Sequence, residues 1–137
     1  MNLLVARIIA CAFITFFIAV VIIADRGEGN QWWGVIDGIP NGDKVGHLVL
    51  TGTLSLLCNL AIPPRSCGRL THLVTLPTLV LLVLLSLEEL TQTFIHTRTC
   101  DFFDWLADLA GLALGQLAAT RLDKIRHMIT AFRKTLL

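Results

Sequence analysis

The chain has 137 residues, of which 55% are apolar and 15% are charged, and its mean hydropathy is +0.74. These values exclude an ordinary soluble domain of this length, and a formal net charge of +1 gives no support to nucleic-acid binding. We therefore expect an all-α membrane protein that forms one domain over residues 1–137.

Four stretches have the length and apolar character of a membrane-spanning helix, since about 20 mostly apolar residues cross a bilayer core. The first carries one charge, Arg7, and a secretory signal peptide is its competing interpretation, disfavoured by the lack of a clean A-x-A cleavage site. The second stops at Pro63-Pro64, and the third contains Pro77, where we expect a kink. The predicted spans are residues 3–24, 45–62, 70–87 and 104–120.

The tail after the fourth span, residues 121–137, combines apolar residues at helical spacing with several Lys and Arg. This pattern is typical of an amphipathic helix that lies on anionic cytoplasmic lipid, which would complete a four-transmembrane-helix bundle. The alternative is a partly frayed tail that only helps to set the topology. The apolar face of this helix would consist of Ile125, Met128, Ile129, Phe132 and Leu136.

Charge is distributed unevenly between the loops. Eight of the 11 Lys and Arg residues lie near the amino end, between the second and third spans, or in the tail, whereas nine of the ten acids lie in or beside the other loops. Because cytoplasmic loops are enriched in Lys and Arg, we expect both termini to be cytoplasmic and the acidic loops to face outward. Only Cys100 then lies in an oxidising space, so we expect no internal disulfide.

Polar residues recur on helical faces near the outer ends of the predicted spans. On the second span, every fourth residue from Asp43 to Asn59 is polar, and such a face is unsuited to lipid. On the fourth span, Gly111-x-x-x-Gly115 allows close helix packing, either within the chain or with a second copy of it. We predict an outer polar site formed by Asp43, Lys44, His47, Glu88, Glu89, Gln92, Arg98, Asp101, Asp104 and Asp108.

A purely structural account of these residues is also open. Arg98 would then neutralise nearby carboxylates, His47 would be a hydrogen-bonded packing residue, and the polar face of the second span would hold helices together. Against this account, five carboxylates but only one Arg lie between Glu88 and Asp108. Such an excess favours carboxyl groups that are protonated, hydrated or paired with a cationic or metal-bound partner.

An ordered series of short motifs runs from the second span to the fourth. Its members are Asp43-Lys44-x-x-His47, Glu89-x-x-Gln92, Arg98, Asp101, Asp104 and the glycines Gly111 and Gly115. From Asp43 to about Gln116, this series resembles the VanZ-like family of small bacterial membrane proteins. The chain departs from that family at His96-Thr97, where Pro-Gly is frequent, and at Asp108, where Asn is frequent. The resemblance implies a multi-pass protein of the bacterial cytoplasmic (inner) membrane with a role in the cell envelope; the family is named for teicoplanin resistance.

The first functional interpretation is a membrane protein without a defined reaction, whose outer site binds an envelope or lipid-linked component and is linked to glycopeptide resistance. In it, Arg98 and Lys44 grip an anionic group such as a phosphate, and neighbouring carboxylates orient them. We expect membrane lipids as partners, no nucleic acid, no cofactor and no metal ion, and we assign no catalytic residue. The orienting carboxylates would be Glu89, Asp101, Asp104 and Asp108.

Two other interpretations belong to different functional classes. A membrane-embedded hydrolase or transferase would use His47 and the carboxylates with a divalent metal, with Glu89 as general base. The sequence lacks His-Glu-x-x-His, a Gly-x-Ser-x-Gly elbow and a glycine-rich phosphate loop. A proton or ion pathway would instead follow the polar face of the second span.

Overall fold

The computed structural model describes residues 2–28, 40–62, 74–98 and 100–135. Regular structure in these ranges is entirely α-helical, which confirms the predicted class. Pro63-Pro64, residues 70–73 of the third predicted span and residues 136–137 of the tail lie outside the described residues. The helices are α1 (Leu3–Asp25), α2 (Gly42–Ala61), α3 (Leu76–Gln92) and α4 (Phe102–Thr135).

Two of these helices, α1 with 23 residues and α2 with 20, are long and apolar enough to cross a membrane. On α1, large apolar side chains such as Ile8, Phe16 and Ile18 are more than half exposed, as lipid-facing residues are. The other two helices do not meet this description: α3 has 17 residues, and α4 begins with carboxylates. The described part of the chain therefore shows two helices of spanning character where the sequence predicted four.

The ends of α1 and the start of α2 follow local sequence signals. Asn2 caps α1 by accepting a hydrogen bond from the Leu4 N–H at 3.2 Å. After α1, Gly27 adopts φ +69°, the left-handed conformation that commonly ends helices. Asn41, at φ 59°, precedes α2 in the same conformation, which Asn tolerates better than most residues.

The third helix begins later than predicted, and the kink expected at Pro77 is wrong. Pro77 is the second residue of α3, a position where the missing N–H would have had no helical partner. The helix then continues to Gln92, beyond the predicted end at Leu87. Glu88, Glu89 and Gln92 are therefore carried by the last turn of a regular helix, which fixes their directions.

The fourth predicted span and the tail form one continuous helix. With 34 residues, α4 is about 51 Å long, whereas a bilayer core is about 30 Å thick. The tail is helical, as expected, but it continues the helix of the predicted span without a break and does not form a separate helix. Its apolar residues Ile125, Met128, Ile129 and Phe132 are exposed.

Glycine contacts hold α2 against α4. A Cβ atom on Gly111 would meet the Thr51 hydroxyl and lie 2.6 Å from the Leu48 carbonyl oxygen. A Cβ atom on Gly115 would meet the Gly52 carbonyl oxygen in the same way. Gly111-x-x-x-Gly115 therefore packs within the chain, and both of its glycines are buried against α2.

The polar face of α2 below His47 also serves this packing. Thr51, Ser55 and Asn59 are at most 5% exposed. The Ser55 hydroxyl donates to the Leu112 carbonyl of α4 at 2.8 Å. The Asn59 amide donates to the Thr78 hydroxyl of α3 at 2.9 Å. Each of these three side chains is uncharged and hydrogen-bonded, so this part of the face has a structural role.

Candidate functional site

A cavity of about 310 Å³, the polar cavity, lies at the end of the bundle where α1 and α3 end and where α2 and α4 begin. One wall is apolar and includes Phe17, Val20 and Val21 of α1 together with Leu85 of α3. The other wall carries charged and hydrogen-bonding groups. These polar lining residues are Asp43, His47, Thr51, Glu88, Gln92, Thr97, Arg98, Asp104 and Asp108.

Lys44 binds three carboxylates beside this cavity. Its Nζ lies 3.0 Å from Asp43 Oδ2, 2.8 Å from Asp101 Oδ2 and 2.9 Å from Asp104 Oδ1. An ammonium group has three N–H donors, so all of them are used. This arrangement, the Lys44 cluster, connects the first turn of α2 with the start of α4. The Lys44 ammonium also holds the pKa of Asp101 below its ordinary value, mainly through their hydrogen bond.

One turn further into the bundle, His47 pairs with a buried carboxylate. His47 Nδ1 lies 3.1 Å from Asp108 Oδ1, and the Asp108 residue is only 2% exposed. With His47 neutral, Nδ1–H donates to Asp108 and Nε2 carries the free lone pair. No hydrogen bond to Nε2 is formed by the part of the chain that the structure describes. Both residues of this pair line the polar cavity.

The last turns of α3 supply a second carboxylate group. The Gln92 amide donates to Glu88 Oε1 at 3.0 Å and to Glu89 Oε2 at 3.2 Å. Glu89, only 4% exposed, also accepts the Asp101 backbone N–H at 2.9 Å. Glu89 therefore holds the beginning of α4 through this hydrogen bond and does not line the cavity, whereas Glu88 and Gln92 do.

Arg98 connects the loop after α3 to α1. Its Nε lies 3.9 Å from Asp25 Oδ1, and its Nη2 lies 3.8 Å from Glu88 Oε1. Both separations are longer than hydrogen bonds, so these are loose ion pairs. Asp25 Oδ1 is buried and has no hydrogen-bond partner among the described residues. The Thr97 hydroxyl fixes the same end of α1 by donating to the Asp25 carbonyl at 2.6 Å.

The Lys44 cluster also bears on metal binding. The carboxylate oxygens of Asp43, Asp101 and Asp104 lie within 4.8 Å of one another, close enough for one cation. The Lys44 ammonium already lies within hydrogen-bond distance of all three. His47 Nδ1 is paired with Asp108, and His47 does not belong to this group of three carboxylates.

The structure brings the ten predicted polar residues to one end of the bundle. Seven of them line the cavity, and Lys44, Glu89 and Asp101 are hydrogen-bonded behind it. The sequence interpretation missed the contribution of α1, which provides the apolar wall and Asp25. Asp25 lies directly at the end of an apolar stretch, but which helix faces it depends on packing that periodicity does not reveal. The cysteines at 11, 58 and 100 are free.

Comparison with known proteins gives no matching family model, curated protein or solved structure.

Proposed function

We propose that this chain is a VanZ-like multi-pass membrane protein of the bacterial cell envelope, whose polar cavity binds an amphiphilic, lipid-linked component. The observation that supports it is the division of one cavity into an apolar wall and a charged wall. A ligand with both an apolar chain and a polar group matches this division, because each part buries against a wall of its own kind.

The surroundings of the cavity support entry from a membrane. Among the described residues, α1 packs mainly against α2, and α3 packs against α4 and α2, so α1 and α3 face each other across the cavity. Exposed aromatic side chains lie at this end of the bundle, after α3 and at the start of α4: Phe94 is 81% exposed, and Phe102 and Phe103 are each 63% exposed. Exposed aromatic residues are typical of the boundary between hydrocarbon and water. The cavity would then lie near that boundary, within reach of a lipid chain.

The geometry changes the role predicted for Lys44. All three of its donors point at carboxylates, so it has none to offer to a phosphate. Its role in the proposal is to hold α2 against α4. Arg98, with two loose ion pairs, is the remaining fixed cation that lines the cavity.

Photolabelling with a hexadecanol that carries a diazirine tests chain binding, with adducts located by mass spectrometry in lipid nanodiscs. Leu85 is 5% exposed and lines the cavity, whereas Leu87 is 54% exposed and reports contact with bulk lipid. Gly46 also lines the cavity, and a Cβ there would meet nothing within 4 Å. We expect Gly46→Leu to remove adducts at Leu85 but not at Leu87, and Gly46→Ala to retain both. Unchanged labelling of Leu85 in Gly46→Leu would contradict the proposal.

The envelope role has its own test in cells whose teicoplanin resistance depends on this protein. We expect Gly46→Leu to lower resistance while Gly46→Ala preserves it, at equal membrane levels of both variants. Equal teicoplanin resistance of the two variants would show that the cavity is not needed for resistance, even if it binds a lipid chain.

The pairing of His47 with Asp108 favours a second candidate, a hydrolase or transferase that uses no metal. A buried carboxylate that orients a histidine is the arrangement of a general base. The Nε2 atom would take a proton from water as its oxygen attacks an ester carbonyl, then return that proton to the leaving alkoxide. Hydrolysis of p-nitrophenyl butyrate by the purified protein tests this. Loss of at least tenfold in rate in Asp108→Asn, with no change in His96→Ala, would support it; a wild-type rate equal to that of His47→Ala would refute it.

A further inference from the structure

We infer that the polar group held in the cavity is a cation, an ammonium or guanidinium group on a single apolar chain. This inference rests on the proposed function, because it concerns the ligand of the same cavity. It replaces the anionic ligand predicted from the sequence with one of opposite charge.

The balance of charge around the cavity is the first step. Three fixed cations, Lys44, Arg98 and Arg26, lie at this end of the bundle together with His47, and Arg98 is the one of the three that lines the cavity. The carboxylates outnumber them, and four of those carboxylates line the cavity directly. An anion would therefore enter a site that repels it, whereas a cation would be attracted. The described carboxylates at this end number eight: Asp25, Glu28, Asp43, Glu88, Glu89, Asp101, Asp104 and Asp108.

The second step is that Lys44 and Arg98 are both committed to carboxylates. Lys44 is saturated by its cluster, as its three distances of 2.8–3.0 Å show. Arg98 lies between Asp25 and Glu88 at 3.8–3.9 Å, one positive charge shared between two negative ones. A bound phosphate or sulfate would have to compete with these carboxylates for every donor it used.

The third step is an acceptor that lacks a donor. The Oδ1 atom of Asp25 is buried and has no hydrogen-bond partner among the described residues, although the Asp25 side chain as a whole is 31% exposed and lies beside the cavity, next to the lining residue Ala24. Buried carboxylate oxygens without donors are costly, and an ammonium group carries three N–H donors. Glu88, on the other side of Arg98, faces the same space. Arg98 already lies between these two carboxylates, so a cation in the cavity would approach Glu88 from the cavity side and leave the Arg98 guanidinium to Asp25.

The apolar wall and the volume set the rest of the ligand. About 310 Å³ corresponds to about ten water-sized groups, enough for a small head group and the first part of a chain. Phe17, Val20 and Leu85 would contact that part of the chain, and the remainder would leave between α1 and α3. We therefore expect selectivity for the charge of the head group and tolerance of chain length.

Three amphiphiles with the same ten-carbon chain and different head groups test the charge: decylamine, decanol and decyl sulfate at pH 7. Each competes with the diazirine-labelled hexadecanol, and protection of Leu85 is measured relative to Leu87, which corrects for partition into lipid. We expect decylamine to protect Leu85 at a concentration at least tenfold lower than decyl sulfate, with decanol between them. Equal or stronger protection by decyl sulfate would overturn the inference and leave the proposed function standing. If the cavity does not bind a chain, hexadecanol labels Leu85 equally in Gly46→Leu and in wild type. That result would overturn the proposed function and this inference together.

Neutral variants identify the carboxylates that select the cation. Glu88→Gln can keep its contact with Gln92 while losing its charge, so it is the first variant, and Asp104→Asn is the second. We expect the preference for decylamine over decyl sulfate to fall to threefold or less in the double variant. Asp123→Asn, whose carboxylate lies on the distant part of α4 near His127, is the matched control and should keep the full preference. An unchanged preference in Glu88→Gln/Asp104→Asn would overturn the assignment, provided that its helix content by circular dichroism equals that of the control.

Discussion

Replacing Gly111 with alanine is expected to push α2 away from α4. The new Cβ would meet the Thr51 hydroxyl, and it would lie 2.6 Å from the Leu48 carbonyl oxygen and 2.9 Å from the Gly52 nitrogen. Two of these three atoms belong to the backbone of α2, so a change of rotamer cannot relieve the contact. The helices must separate, and the hydrogen bond from Ser55 to the Leu112 carbonyl would lengthen from 2.8 Å.

Opposing contributions determine the size of this effect. Alanine favours a helix over glycine by about 1 kcal/mol. Overpacking costs about 1–3 kcal/mol, and losing the Ser55 hydrogen bond adds about 1 kcal/mol. Because the contacts involve the backbone, we take the upper end of the overpacking cost and expect a net destabilisation of about 3 kcal/mol.

Gly46→Ala is the matched control, because a Cβ at Gly46 meets nothing within 4 Å. We expect this variant to gain up to about 1 kcal/mol from helix propensity alone. Reversible unfolding in mixed micelles of increasing dodecyl sulfate content, followed by circular dichroism, gives the free energy of unfolding of both variants. If Gly111→Ala were as stable as Gly46→Ala, the close contact between α2 and α4 would be wrong.

Three further predictions use the same unfolding measurement. Lys44→Met leaves three carboxylates without their shared cation and should lower the free energy of unfolding, whereas Lys44→Arg should lower it less. Equal stability of Lys44→Met and wild type would contradict the cluster. Lys44 lowers the pKa of Asp101 in the folded state, so the ionised Asp101 carboxylate stabilises the protein above its unfolded pKa. This contribution is lost as the pH falls through the lower folded pKa. Asp101→Asn should therefore lose less stability than wild type between about pH 5 and about pH 3. Ser55→Ala should cost about 1 kcal/mol, because it removes a buried hydrogen bond between α2 and α4. Thr53→Ala removes an exposed hydrogen bond within α2 and should be nearly neutral. Equal effects of the two substitutions would argue against the hydrogen bond to α4.

Helical class and the meeting of polar groups at one end of the bundle were accessible from the sequence, because both depend on local spacing. The interval of four residues on α2 places His47, Thr51 and Ser55 on one face, and the structure turns that face toward α4. The interval between Gly111 and Gly115 likewise predicted a close contact, although only the three-dimensional packing shows that its partner is α2 of the same chain.

Features that depend on partners distant in sequence were not accessible. The sequence interpretation gave Lys44 an external anion, whereas its carboxylates at Asp101 and Asp104 lie 57 and 60 positions away. Asp25 was not predicted as a site residue, because an acid after an apolar stretch is ordinary at the end of a membrane span. The prediction of a kink at Pro77 was wrong for a different reason. Apolar composition continues on both sides of the start of α3, so it does not reveal that Pro77 lies in the first turn.

The two walls of the polar cavity differ in how firmly the rest of the protein holds them. Part of the charged wall belongs to α2 and α4, which are fixed to each other by glycine contacts and by the Lys44 cluster, and the rest belongs to α3 and the loop after it. The apolar wall belongs largely to α1, whose hydrogen bond to the loop after α3 is the one from Thr97 to Asp25. A chain that enters between α1 and α3 would displace apolar contacts of α1 and leave the α2–α4 contact intact. We infer that the end of α1 adjusts to the ligand, while the α2–α4 pair keeps Asp43, Asp104, Asp108 and His47 in the same positions before and after binding.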